Sequence, residues 1–252
     1  MYIFDTNCIH LHIILVKALM STNPNILYIE TGSDICSVAL SSGNSLVALK
    51  ESGNDREHAK NLSTFIDELL KNNKLQYSDL DAVAVSKGPG SYTGLRIGVA
   101  TAKGICFGIN IPLIAIDSLL SLIHVYLQSH KVEPKMVYCP MIDARRMEVY
   151  TALFDHNTNR LTNTQALIID ENSFNEVLAK NKVCFFGNGA EKCRAIISHP
   201  NAIFANNVQV SAKGMICEAL QAFENKNFEN TAYFEPFYLK DFVITQSKKK
   251  IL

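Results

Sequence analysis

The stretch Gly88-Pro89-Gly90-Ser91-Tyr92-Thr93-Gly94 carries the residue types that anion chemistry needs, and a run of small residues from Leu95 to Phe107 follows it. Gly88 and Gly90 allow backbone angles closed to other residues, and Thr93 is placed to cap a following helix, whose first amides would be open to a phosphate or carboxylate. With Ser91 and Arg96 these residues make a candidate anion or nucleotide loop. The chain continues Gly94-Leu95-Arg96, so the lysine of a P-loop is missing. A tight strand-to-helix connection without a ligand is the other expectation for the same residues. Glu30 follows the first apolar run, where a carboxylate could hold a water-bridged Mg²⁺. No companion acid is identified at a matching place in the second half, and structural hydrogen bonding by Thr31 is the alternative.

Other polar groups read as surface. Asp143-Ala144-Arg145-Arg146 with Glu148 fits a solvated hairpin tip, and Lys248-Lys249-Lys250 fits a soluble tail. Seven cysteines are scattered without a C-x-x-C pair, several inside apolar runs, as expected of buried thiols in a reducing, cytoplasmic setting. Lys plus Arg equals Asp plus Glu at 24 each, so no net field draws the chain onto nucleic acid.

The elements that must position these residues follow from periodicity. Ile26 to Ile29, Ser37 to Leu40 and Leu46 to Leu49 are strand runs, with Ser42-Gly43-Asn44 as the turn between the last two. Leu62, Phe65, Ile66, Leu69 and Leu70 give the stripe of an amphipathic helix over 56–73. Ala82 to Val85 is a buried strand, then the glycine loop, a helix from about Leu95, and a strand from Pro112 to Ile116. Three antiparallel strands followed by β-α-β-α describe a ribonuclease H-like lobe. In the second half, Met136 to Met141 and Val183 to Phe186 read as strands, Arg146 to Phe154 as an alternating strand, and Ser173-x-x-Glu176 as a capping box.

The expected organisation is an N-terminal extension over 1–25, a first lobe over 26–130, and a second α/β lobe with a C-terminal tail over 131–252. The apolar run Ile13 to Val16 is too short to span a membrane, and no signal-peptide pattern surrounds it. The extension reads as dispensable up to Met20, an alternative start. A helix docked on the body is the other reading.

Three blocks, ILYIETGSDICSVAL at 26–40, REHAKNLSTFIDELL at 56–70 and DAVAVSKGPGSYTGLRIGVATAKGICFGINIPLIAIDSL from Asp81 to Leu119, resemble the TsaB (YeaZ) family in order and spacing. GNGAEK at 187–192 and the tail Tyr238-Leu239-Lys240-Asp241-Phe242 match more loosely. The resemblance implies an α/β fold of two ribonuclease H-like lobes, of the actin, sugar-kinase and Hsp70 type. It also implies a part in making N6-threonylcarbamoyladenosine beside the tRNA anticodon, as a non-catalytic partner of the catalytic paralogue TsaD and of a TsaE-like ATPase, with self-association as a further expectation. ATP and metal would belong to those partners, the isolated chain holding no cofactor, and tRNA would be met only through the complex.

TsaD-like chains carry two histidines four residues apart just after the strand that follows the glycine loop, a spacing that aims both imidazoles at one metal. Here Ser118 and Leu122 take those places, leaving His124 as an ordinary helix residue. That argues against a metallopeptidase-like enzyme, while an ATP-dependent kinase of the same fold stays open as the alternative. Gly94, Gly98 and Ala102, with Gly104 farther on, offer small surfaces for a partner helix, with close packing inside the lobe as the other expectation for the same row. By analogy with the family this helix would dock TsaD beside the helix over 56–73, whose His58, Asn61 and Glu68 lie off the apolar stripe.

Overall fold

The computed structural model describes residues 23–52 and 58–240. The predicted extension before Asn23 and the lysine run after Lys240 therefore lie outside the described residues. Runs that are apolar at every position must bury both faces of a strand, and β1 (Asn25–Glu30) does so: Leu27 and Ile29 enter one core, Ile26 and Tyr28 the other. Around it assemble β2 (Ser37–Ser42), β3 (Ser45–Glu51), β4 (Ala82–Gly88) and β5 (Leu113–Asp117) in the order β3-β2-β1-β4-β5. The first pairings are antiparallel, and β1-β4-β5 is parallel.

Helices α1 (His58–Asn72) and α2 (Tyr92–Ile109) cover one face of this sheet through Leu62, Ile66, Val99 and Ala102. The second sheet repeats the plan with β6 (Val137–Asp143), β7 (Glu148–Thr151), β8 (Gln165–Ile168), β9 (Val183–Phe186) and β10 (Ala202–Phe204), ordered β10-β9-β6-β7-β8. Its central strand pairs antiparallel with β7 and parallel with β9, as β1 does with β2 and β4. Read from β8, this is the first lobe's strand order again, so the chain is two ribonuclease H-like lobes in series.

Two helices fill the space between the sheets. Helix α3 (Ser118–Ser129) packs Leu119, Leu122, Ile123 and Tyr126 on the second sheet beside Tyr138 and Phe186. Helix α5 (Ile216–Glu224), with the 3-10 turn before it, packs Ala212, Met215, Ile216 and Ala219 on the first sheet. They touch closely: a side chain at Gly214 would meet the Ser121 carbonyl at 2.3 Å, and His124 Nε2 lies 2.9 Å from Glu218 Oε1. Helix α5 thus belongs by packing to the first sheet although it falls within 131–252.

Several local expectations need correction. Ser173 opens no capping box: its hydroxyl donates to Asp170 Oδ1 at 2.9 Å, and Phe174, at φ 67°, precedes the short helix α4 (Asn175–Leu178). The alternating run from Arg146 to Phe154 forms a strand over β7 alone, with a separate bridge from Phe154 to Tyr138, and its start is set back by the left-handed φ of Arg145 and Arg146, 67° and 47°. Among the described residues no helix is long and apolar enough to cross a membrane, and Cys36, Cys106, Cys139, Cys184 and Cys193 are all buried.

Candidate functional site

The glycine loop is built by two close backbone approaches and a side-chain cap. Gly88 ends β4 at φ 107°, where a side chain would be strained and would also stand 2.7 Å from the Phe237 carbonyl oxygen. A side chain at Gly90 would lie 2.3 Å from the Gly32 carbonyl oxygen, which accepts the Ser91 N–H at 2.7 Å. Ser91, in extended conformation, caps α2 by accepting the Gly94 N–H at 3.3 Å. The cap is therefore Ser91 and not Thr93, which is exposed, and the helix begins three residues earlier than the small-residue run suggests. Arg96 reaches back one turn to donate to the Tyr92 hydroxyl at 3.2 Å and lies over the Tyr92 ring. Gly88, Gly90, Ser91, Thr93 and Arg96 are thus gathered in one turn and the helical turn after it.

Beneath the loop sits a buried carboxyl. Glu30 is fully buried; its Oε1 accepts the Gly32 N–H at 2.6 Å and the Ser86 hydroxyl at 2.9 Å, while Oε2 has no partner among the described residues. Burial pushes this carboxyl above the usual range, and hydrogen bonding from Gly32, Ser86 and the Thr31 backbone offsets only part of that. Thr31 donates to the Gly94 carbonyl at 2.8 Å, tying β1 to the first turn of α2.

The second lobe repeats this architecture. Asp143 closes β6 as Glu30 closes β1, and Gly187, just after β9, has the same φ of 107° that Gly88 adopts at the end of β4. The expectation that the second half lacks a companion acid is thereby corrected. No local spacing marks the pair: the two acids correspond only through the strand order, each closing the central strand of its sheet. Asp143 is held by Lys192, whose ammonium also donates to the Arg146 and Glu148 carbonyls at 2.7 Å each. The acid is therefore engaged in bracing a turn.

The small-residue row on α2 divides in two. Side chains added at Gly94 and Gly98 would stand 1.9 Å from the Thr31 carbonyl and 2.2 Å from its hydroxyl, and Ala102 is fully buried. Those three residues face their own sheet, which decides for close packing inside the lobe and against an outward groove. Gly104 and Gly108 have nothing within 4 Å of an added side chain, and Phe107 between them is 86% exposed. On α1, Glu68 pairs with Lys50 of β3, Asn61 is half-buried, and the His58 side chain lies outside what is described. Ser118 and Leu122 are buried in α3. No three His, Cys, Asp or Glu side chains among the described residues cluster so as to hold a metal.

The chain matches the family model described as TsaD: tRNA N6-adenosine threonylcarbamoyltransferase over residues 52–246. It is 36% identical to the tRNA threonylcarbamoyladenosine biosynthesis protein TsaB of Haemophilus influenzae, over 51% of this chain and 52% of that protein. Against the TsaB of Buchnera aphidicola subsp. Baizongia pistaciae it is 30% identical, over 66% of this chain and 76% of the relative. The alignment thus spans about half of the first relative's length and three quarters of the second's. Among solved structures, YeaZ from Pseudomonas aeruginosa superposes with a TM-score of 0.74 at 22% identity, covering 86% of this chain and all of that one. That likeness shows the two-lobed fold.

Proposed function

This chain belongs to the TsaB family of tRNA threonylcarbamoyladenosine biosynthesis proteins, and from that premise we propose that it works there as a non-catalytic partner subunit docking a TsaD-like catalytic paralogue. The observation that carries the reading is the outer face of α2. Phe107 projects there at 86% exposure with Gly104 and Gly108 bare beside it. An aromatic side chain flanked by two glycines on one helix face offers an anchor and the room for a partner helix to approach it.

The same reading makes these side chains structural: Thr31 holds β1 to the first turn of α2 and Glu30 accepts from Ser86 of β4, Lys192 engages Asp143, and Ser118 and Leu122 pack in the core where TsaD-like chains place metal-binding imidazoles. Metal and ATP then belong to the TsaD-like and TsaE-like partners. With formal net charge zero the chain meets tRNA through the assembled complex. An ATP-dependent kinase is the second reading, favoured by one observation, the paired strand-end acids Glu30 and Asp143.

The deciding experiment co-purifies the full chain with its own organism's TsaD-like protein, with and without nucleotide. A stable complex lost in Phe107→Asp supports the partner role. ATP turnover by the isolated chain supports the kinase instead.

A further inference from the structure

The segment after α5 returns along the first lobe and then leaves it. Glu229 bridges Leu113 at the sheet edge, and Lys103 Nζ donates to the Ala232 and Phe234 carbonyls at 3.1 and 2.9 Å. The Phe237 N–H then donates to the Lys87 carbonyl at 2.7 Å, and its own carbonyl occupies the space that any side chain at Gly88 would need. Next, the Tyr238 ring lies 4.8 Å from that of Tyr92 in the first turn of α2. Two residues later the chain has crossed to the second lobe, where the Lys240 ammonium meets the Glu148 carboxylate over the Tyr150 ring. Four consecutive residues thus touch the glycine turn, the helix start and the opposite lobe.

The two landing points are braced. Gly88 is fixed by its conformation and by its pairing with Asp117 at the end of β5. The far anchor, Glu148, begins β7, and its carbonyl is one of the acceptors that Lys192 gathers with Asp143 and Arg146. That brace holds two successive non-glycine residues, Arg145 and Arg146, at positive φ, a conformation that persists only where surrounding contacts enforce it. A peptide stretched between two rigid turns on different lobes limits their separation.

We propose that Phe237–Lys240 is an intramolecular latch. It ties the glycine turn of the first lobe to β7 of the second, so the lobes part at this turn only when the segment leaves. The latch stands whether or not the chain docks a TsaD-like partner, because every contact in it is internal.

The test is amide hydrogen exchange on the full chain, read at Phe237, at 88–91 and at 149–151. Lys240→Glu replaces a half-exposed ion pair, typically a two- to fivefold effect, with a like-charge contact of similar size. Exchange should therefore quicken about tenfold at Phe237, three residues from the change, and also at the glycine turn and over 149–151. The double variant Lys240→Glu with Glu148→Lys should restore protection at all three places, with melting temperatures confirming that each variant is folded. Unchanged exchange at Phe237 in Lys240→Glu, or no recovery in the charge swap, would overturn the latch.

Discussion

Gly98→Ala and Gly104→Ala place one methyl group on the same helix at two positions that differ in surroundings, and opposite signs are expected. An alanine relieves the backbone entropy of a mid-helix glycine by about 1 kcal/mol at either site. At Gly104 nothing lies within 4 Å of the new Cβ, so that gain stands and the melting temperature rises by about 2–4 °C. At Gly98 the Cβ would sit 2.2 Å from Thr31 Oγ1, which is fully buried and donates to the Gly94 carbonyl. Thr31 must rotate away and break that bond, a loss of about 1–3 kcal/mol, with a further 1–3 or so for overpacking. Net of the propensity gain, Gly98→Ala should destabilise by about 1–5 kcal/mol and lower the melting temperature by roughly 2–20 °C. Adding Thr31→Ala should recover part of the overpacking, giving a favourable coupling in the double-mutant cycle. Thermal unfolding of the four variants decides it. A Gly98→Ala protein as stable as its parent would refute the inward placement of the row and with it the division of α2 into a core face and a docking face.

Other outcomes follow from single contacts. Glu30→Gln should gain on the parent as pH rises: a carboxyl whose folded pKa is raised contributes stability below its unfolded value and loses it as pH climbs through the folded one. The melting-temperature difference between variant and parent should therefore grow from pH 4.5 to pH 8, by an amount corresponding to about 1–3 kcal/mol; a difference independent of pH would contradict the buried placement. Ser91→Ala removes the cap of α2 and should lower stability by about 1 kcal/mol, whereas Thr93→Ala, exposed and outside the cap, should change it by less than about 0.5 kcal/mol, both read from denaturant midpoints. Burial pushes Cys36 to about 11 and Cys106 and Cys139 to about 12, so those thiols should stay unmodified by a soluble disulfide reagent at pH 8 until the protein unfolds, and rapid labelling of Cys139 in the native state would be inconsistent with its core position.

The first lobe was legible in sequence because its signals are local. The runs Ile26 to Ile29 and Ala82 to Val85 are apolar at every position, Gly43 marks a hairpin, and the leucines of α1 recur at helical spacing. The facing of α2 was not legible. A row of small residues can approach another helix or its own sheet, and only the position of Thr31, distant in sequence, decides between them. The cap was misplaced for a related reason: Ser91 and Thr93 have the same chemistry, and the Gly32 carbonyl that fixes the Ser91 backbone is remote. In the second lobe the acid that closes β6 was obscured by charged neighbours that resemble a solvated tip. The segment beyond α5 has no periodicity, since its order comes from main-chain bonds to Lys87 and from single side-chain contacts.

The central claim is that this chain serves its pathway by docking and not by chemistry of its own. Its most direct test reconstitutes threonylcarbamoyl transfer to tRNA from the organism's own TsaD-like and TsaE-like proteins, with this chain present, absent, or carrying Phe107→Asp. Activity should require the chain, Phe107→Asp should abolish complex and activity together while leaving the melting temperature near the parent value, and the chain alone should transfer nothing. Transfer by the chain alone, or full activity of a Phe107→Asp protein that no longer binds the TsaD-like subunit, would contradict it.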